Sequence, residues 1–225
     1  MALGRWGDSS DVAESPLVLM RPLAPELVSS PIAPPRAATA VSGRDVELVT
    51  RARAGDKRAE EQLYRAHVET VNALAARLLG RSHEAEDVVQ EVFLTALARL
   101  YQLRDPALFR AWLLRITVHE VHRCYRRRKL LRALGMAGGP DDASLAELAG
   151  PGLSADRRAE LAALDRVLAR LPARERIAWM LRHVEGYELT EVASACDASL
   201  ATIKRWLARA DAQLRAHITR GASHD

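Results

Sequence analysis

The chain has 225 residues, 48% hydrophobic and 28% charged, enough to bury a core as one large domain or two small ones at roughly 100–200 residues each. Aromatics make up only 4% and there are 2 cysteines, which favours helices over strands and excludes both a disulfide scaffold and a four-cysteine zinc site. The net charge is +4 and no apolar run approaches the roughly 18 residues needed to span a bilayer.

Residues 1–43 carry Pro16, Pro22, Pro25, Pro31, Pro34 and Pro35 between Ser and Ala. Proline at that density blocks continuous helix and removes ladder donors, so the stretch is expected to be a disordered extension. Its one short apolar run, Leu17-Val18-Leu19-Met20, lies between prolines and follows Asp8, Asp11 and Glu14. A secretory leader needs a basic start, so a cytoplasmic protein is expected.

Residues 45–132 read as helical almost throughout, with Leu63, Val71, Leu74 and Leu78 at three- and four-residue steps. Gly80 and Arg81 break the run. Ser82 then offers a cap, and Glu84, Glu86 and Asp87 place carboxylates in a first turn. Val89, Phe93, Ala96, Leu97 and Leu100 form the inner face of that helix, leaving Asp87, Gln90, Glu91 and Leu94 outside. This is either a solvated helix start or an acidic face for a basic partner helix. Residues 101–104 form a loop, and Asp105-Pro106 restarts a helix with Asp as cap and Pro at its first position. That helix is expected to bury Phe109, Trp112, Leu113 and Ile116.

Farther along it, His119, His122, Arg123 and Arg126 share a face, extended by Arg127, Arg128, Lys129 and Arg132, with Tyr125 inside the cluster. So many like charges repel one another unless an anionic partner is present, and a cationic stripe with an aromatic suits a nucleic-acid backbone and unstacked bases. The string His119-Glu120-Val121-His122 is one residue short of the HExxH zinc spacing, and its cationic neighbours oppose a metal. Cys124 and Cys196 have no partners at ligand spacing and are read as buried small apolar residues. No cofactor or catalytic site is implied.

Gly135, Gly138, Gly139, Pro140, Gly150, Pro151 and Gly152, with Asp141, Asp142 and Glu147, mark residues 135–154 as a flexible acidic linker. A second helical block spans 155–220, with breaks at Leu171-Pro172, Gly186 and Cys196-Asp197-Ala198, leaving 221–225 as a tail. Within it a short helix over 189–195 is followed by a tight turn, with Ser199 as cap of the next helix. Ile203, Leu207, Ala210 and Leu214 fall on one side of that helix, and Thr202, Arg205, Trp206 and Arg209 on the other, with Lys204 at the border. This is the helix-turn-helix plan, whose second helix enters the major groove. From periodicity alone, a helical hairpin with a solvated basic face fits equally well.

Both blocks together resemble a known family. Ala85-Glu86-Asp87-Val88-Val89-Gln90-Glu91-Val92-Phe93-Leu94 is similar to the polymerase-binding helix of bacterial sigma factors. Phe109-Arg110-Ala111-Trp112-Leu113-Leu114-Arg115-Ile116-Thr117 and the Arg cluster after it resemble the helix that reads and opens the −10 promoter element. Leu171-Pro172, Glu185-Gly186, Glu191-Val192-Ala193 and Thr202-Ile203-Lys204 resemble the −35-reading domain. Their order and the linker between them point to the extracytoplasmic-function (ECF) class, over about residues 44–218.

The resemblance implies an all-α protein of two small domains, 44–134 and 155–220, that binds core RNA polymerase and promoter DNA, inserts into no membrane and is not an enzyme. Asp87, Gln90, Glu91 and Leu94 would meet the clamp helices of the polymerase's largest subunit. His119, His122, Arg123, Arg126, Arg127 and Arg128 would hold the −10 region, and the loop at 101–105 a flipped base. Thr202, Lys204, Arg205, Trp206 and Arg209 would lie at the −35 element, and the linker would thread toward the RNA exit path. An anti-sigma protein is left open as a further partner. Departures from the family pattern are His119 in place of Asn, Arg123 in place of Asp, Glu188 in place of a Ser cap, Asp197 in place of a turn Gly, and Arg205-Trp206 in place of Ser-Arg. The competing functions are a stand-alone helix-turn-helix regulator, which has no need of the 87–91 helix, and a metal-dependent hydrolase, which lacks a third ligand.

Overall fold

Capping chemistry cuts the first block into four helices in the computed structural model, which describes residues 42–80, 82–136 and 154–221, the backbone alone at 82, 83, 157, 160 and 217–221. Most of the proline-rich extension and most of the linker therefore lie outside the described residues. Helix α1 (Gly43–Arg53) ends before Gly55, whose φ of 91° is open to glycine at no steric cost. Asp56 then accepts from the backbone N–H groups of Arg58 (2.9 Å) and Ala59 (3.3 Å) and starts α2 (Lys57–Leu79). The break interrupts the continuous helix expected from apolar spacing, which carries on across it through Leu48, Val49, Ala52, Ala59 and Leu63, all buried.

Helix α2 stops at Gly80, as expected, in the left-handed region. Helix α3 (Ser82–Arg99) follows; the side chain of Ser82, read as its cap, lies outside the described residues. The loop at 101–104 begins as a 3₁₀ turn, Leu100–Gln102. The Asp105 carboxylate accepts from the Ala107 N–H at 2.9 Å and caps a second 3₁₀ turn, Pro106–Leu108, which runs into α4 (Phe109–Ala133).

The first group packs α2 against α3 and both against α4. Val71, Leu74 and Leu78 meet Val89, Val92, Phe93, Phe109, Leu113 and Val118 in one core, with Trp112 and Ile116 half-buried at its edge. Three polar ties fix the angles between helices. Asp45, 5% exposed, receives Arg110 Nε at 2.6 Å and lies 3.3 Å from His67 Nε2, joining α1, α2 and α4. The Tyr125 hydroxyl donates to the Leu78 carbonyl at 2.6 Å. Arg128 donates to the Leu79 carbonyl and pairs with Glu84, Nε to Oε1 at 3.1 Å. The last carbonyls of α2 have no intrahelical partner, and these two side chains supply one.

Helices α5 (Ala155–Leu168), α6 (Ala173–His183), α7 (Leu189–Ala195) and α8 (Leu200–Gly221) form the second group. The turn before α7 is held by Arg182, which donates to the Tyr187 carbonyl at 2.9 Å, and by the Glu188 N–H, which donates to Glu191 at 2.8 Å. Ile177, Met180, Leu181, Val192, Ile203, Leu207, Ala210 and Leu214 are its core. The four predicted inner residues of α8 are all among them. The two groups are not separate: α4 packs against α6 and α7.

Removing one member of a buried ion pair leaves the others uncompensated, at about 3–5 kcal/mol. Asp45→Asn is therefore expected to lower stability toward urea by about 3 kcal/mol, at the lower end of that range because Arg110 is partly solvated. Urea titration followed by circular dichroism checks this, and an unchanged midpoint would deny the tie its role.

Candidate nucleic-acid interface

Three faces carry the predicted site residues. On α3, Asp87, Gln90, Glu91 and Leu94 fall at i, i+3, i+4 and i+7 and all are exposed, Leu94 at 59%. Their helix is anchored from behind by Val88, Val89, Val92 and Phe93, so the acidic face is presented on a rigid element. Glu91 lies 3.8 Å from Arg123 in a solvated pair, which holds it only weakly for competition by another cation.

The α4 face is less uniform than its charge run suggested. His119, Arg123, Arg126 and Arg127 are exposed. Arg123, however, is also 3.5 Å from buried Glu120, so two carboxylates already neighbour it. His122 is half-buried, and burial, then the cations of Arg174 and Arg126 and the nearby His119, push its pKa down to about 4. It is a neutral imidazole near pH 7. Arg128 departs from expectation. It is 7% exposed and holds Glu84 and the α2 carboxyl end, because a heptad-like step turns position 128 inward beside Cys124 and Val121. Tyr125, inside the cationic cluster in sequence, is half-buried and its hydroxyl donates to the Leu78 carbonyl instead of facing DNA. Ahead of α4, Tyr101 in the first 3₁₀ turn is 70% exposed.

The third face is built by the helix-turn-helix. Asp197 takes φ 51°, the left-handed turn conformation that short polar side chains tolerate. Ser199 Oγ accepts from the Thr202 N–H at 3.2 Å and caps α8, as expected. Lys204 and Arg205 are exposed, and Arg205 reaches Thr202 Oγ1 at 3.2 Å. Trp206, read as DNA-facing, is half-buried and packs against the core. Arg209 is exposed but donates to buried Glu175 at 3.1 Å. Trp179 Nε1 donates to Asp211 at 3.0 Å two residues farther along α8, so α6 sets the angle of the recognition helix. None of these α6 contacts was legible in the sequence, because a residue that holds a helix and one that reads DNA share the same composition.

Cys124 is buried, and burial pushes the Cys196 thiol up to about 12, so Cys196 is not a thiolate at neutral pH. Among the described residues no His, Cys, Asp and Glu side chains gather in a metal-ligand group, and no helix is long and apolar enough to cross a membrane.

Residues 63–130 match the Sigma-70 region 2 family and residues 161–214 match Sigma-70, region 4. The chain is 33% identical over 174 residues to the RNA polymerase sigma factor NccH of Alcaligenes xylosoxydans xylosoxydans, covering 76% of this chain and 93% of that protein. It is 31% identical to the ECF RNA polymerase sigma factor SigM of Mycobacterium tuberculosis (strain ATCC 25618 / H37Rv), over 76% of this chain and 82% of that protein. The chain belongs to the ECF class of RNA polymerase sigma factors. It is 32% identical to the ECF sigma factor SigE of Mycolicibacterium smegmatis, over 72% of its own length but only 63% of that protein's. Among solved structures it resembles that of CnrH in complex with the cytosolic domain of CnrY, at 28% identity and a TM-score of 0.54, over 79% of this chain and 99% of CnrH. Region 2 thus contains α3 and α4, and region 4 the helix-turn-helix.

Buried His67 and half-buried His122 and His183 have pKa values lowered chiefly by burial. The folded state binds fewer protons than the unfolded chain below the ordinary histidine value of about 6.5. Stability is then expected to be level above pH 7 and to fall as the pH drops through 6.5 toward 4. His122→Asn should flatten part of that slope. Urea midpoints between pH 7.5 and 5.5 provide the check, and parallel slopes for the two proteins would contradict it.

Proposed function

We propose that this sigma factor joins core RNA polymerase through the Asp87, Gln90, Glu91 and Leu94 face of α3 and directs it to promoters through α4 and α8. The observation that carries this reading is the joint presentation of an acidic face with an exposed leucine on α3 and an exposed basic face on α4, held at one angle by buried Arg128. The acidic residues suit the basic clamp helices of the largest subunit, and Leu94 supplies the apolar contact that interface centres use.

On DNA, Arg126 and Arg127 neutralise phosphates near the −10 element, His119 and neutral His122 offer hydrogen bonds, and exposed Tyr101 stacks on a base leaving the duplex. In region 4, Lys204 and Arg205 are the residues best placed to meet −35 base edges. Arg guanidinium can fork onto a guanine, which Trp206 cannot do. Two sites on one chain raise the effective concentration of the second once the first is bound, so each can be individually weak. The chain is an initiation factor acting in the cytoplasm, with the catalysis supplied by polymerase.

Glu91→Lys reverses a charge at the α3 face without touching the core, and should reduce co-purification with core polymerase by about tenfold or more, or 1.4 kcal/mol. Undiminished co-purification would sink the α3 assignment. Arg205→Ala should weaken use of promoters that need the −35 element by about 1–3 kcal/mol. It is a cleaner probe than Arg209→Ala, which also strands the buried Glu175 carboxylate. In-vitro transcription on templates with and without that element separates the effect from a general loss.

A further inference from the structure

Regions 2 and 4 are joined by contacts that the promoter reading does not use. Arg77 of α2 binds Glu185, between α6 and α7, with two donors, Nη2 to Oε2 at 2.8 Å and Nε to Oε1. The pair is part-buried: the Glu185 side chain is 6% exposed and that of Arg77 22%. Arg115 of α4 donates to Asp197 in the helix-turn-helix turn at 2.7 Å. The Arg176 guanidinium, 7% exposed, lies 5.6 Å from the centre of the Tyr125 ring. Arg174 of α6 acts on both His122 and Cys196, so it stands between α4 and the end of α7. Region 4 therefore sits on the flank of α4 that bears Arg115, His122 and Tyr125.

This arrangement cannot engage both promoter elements together. Elements centred near −35 and −10 are about 80 Å apart on B-form DNA at 3.4 Å per base pair. Here Asp197 touches Arg115, and the recognition helix begins three residues later, within about 11 Å of that contact. His122 lies two turns along α4 from Arg115, about 10 Å. The two reading faces are thus tens of ångströms too close, while the chain between Met136 and Ser154 can extend to about 60 Å.

We propose that the Arg77–Glu185 pair is a latch that keeps free sigma factor closed, with region 4 shielding part of the −10 face until the pair is broken on assembly with polymerase and promoter. The pair suits this role. Two parallel charge-assisted hydrogen bonds onto a buried carboxylate are strong and directional. The exposed Arg115–Asp197 pair adds little by itself. The consequence for promoters rests on the two-element reading above; the latch itself does not.

Small-angle scattering of the free full-length chain tests it, comparing wild type with Arg77→Glu, Glu185→Arg and the doubly exchanged protein. Each single variant is expected to raise the radius of gyration by several ångströms while keeping its helical circular dichroism, and the exchange to restore the wild-type value. Glu185→Gln, a smaller change, is expected to open the chain partway and covers the case of a charge-reversed variant that fails to fold. Single variants and Glu185→Gln that all stay folded and as compact as wild type would overturn the latch, as would an exchange that stays open. These readings need neither polymerase nor DNA, whereas transcription by the same variants with core polymerase reports on the promoter reading separately.

Discussion

Buried Arg128 is the constraint on which the arrangement of region 2 depends. It joins the carboxyl end of α2, at the Leu79 carbonyl, to the start of α3, at Glu84, from a position on α4. Tyr125, one turn earlier, holds the Leu78 carbonyl from the same helix. The angle between the helix that presents the acidic face and the helix that presents the basic one is set there. Without these donors the orphan carbonyls after Leu78 would face a dry boundary, and α3 would have no fixed direction relative to α4. On the proposed assignment of α3 to polymerase and α4 to promoter DNA, the two functions would be coupled in space through the one guanidinium that both helices share.

Region 4 solves the same problem with a different set of groups. Glu175 and Trp179 are one turn apart on α6 and meet Arg209 and Asp211 on α8, so the recognition helix is hung on α6 by two polar ties flanking an apolar core. Asp197 in the left-handed region keeps the turn tight enough for α7 and α8 to share that core. The same aspartate also touches α4, which places the turn at the junction of the two regions.

Apolar periodicity is a local property, and it was legible. Ile203, Leu207, Ala210 and Leu214 are buried as read, the α7 helix spans Leu189–Ala195, and Asp87, Gln90, Glu91 and Leu94 are on the surface together. Charge carries no such address. Arg128 looked like its neighbours Arg126 and Arg127, yet it is buried because Glu84, 44 residues away, waits for it. Nothing local in the sequence covers Trp206 or Tyr125; the groups that cover them come from other helices. The Gly55–Asp56 break leaves no mark on the apolar pattern, because a cap can interrupt a helix without interrupting its apolar rhythm. The contact between regions, made by Arg77, Glu185 and Asp197, is long-range throughout and leaves no trace in spacing.

The account stands most directly on transcription itself. Core RNA polymerase is supplied with the purified chain on fragmented genomic templates, and the 5′ ends of the transcripts are mapped. The account predicts new starts, absent with core polymerase alone, that share a pair of upstream elements near −10 and −35. Transcripts no different from those of core polymerase alone, on any template, would contradict it.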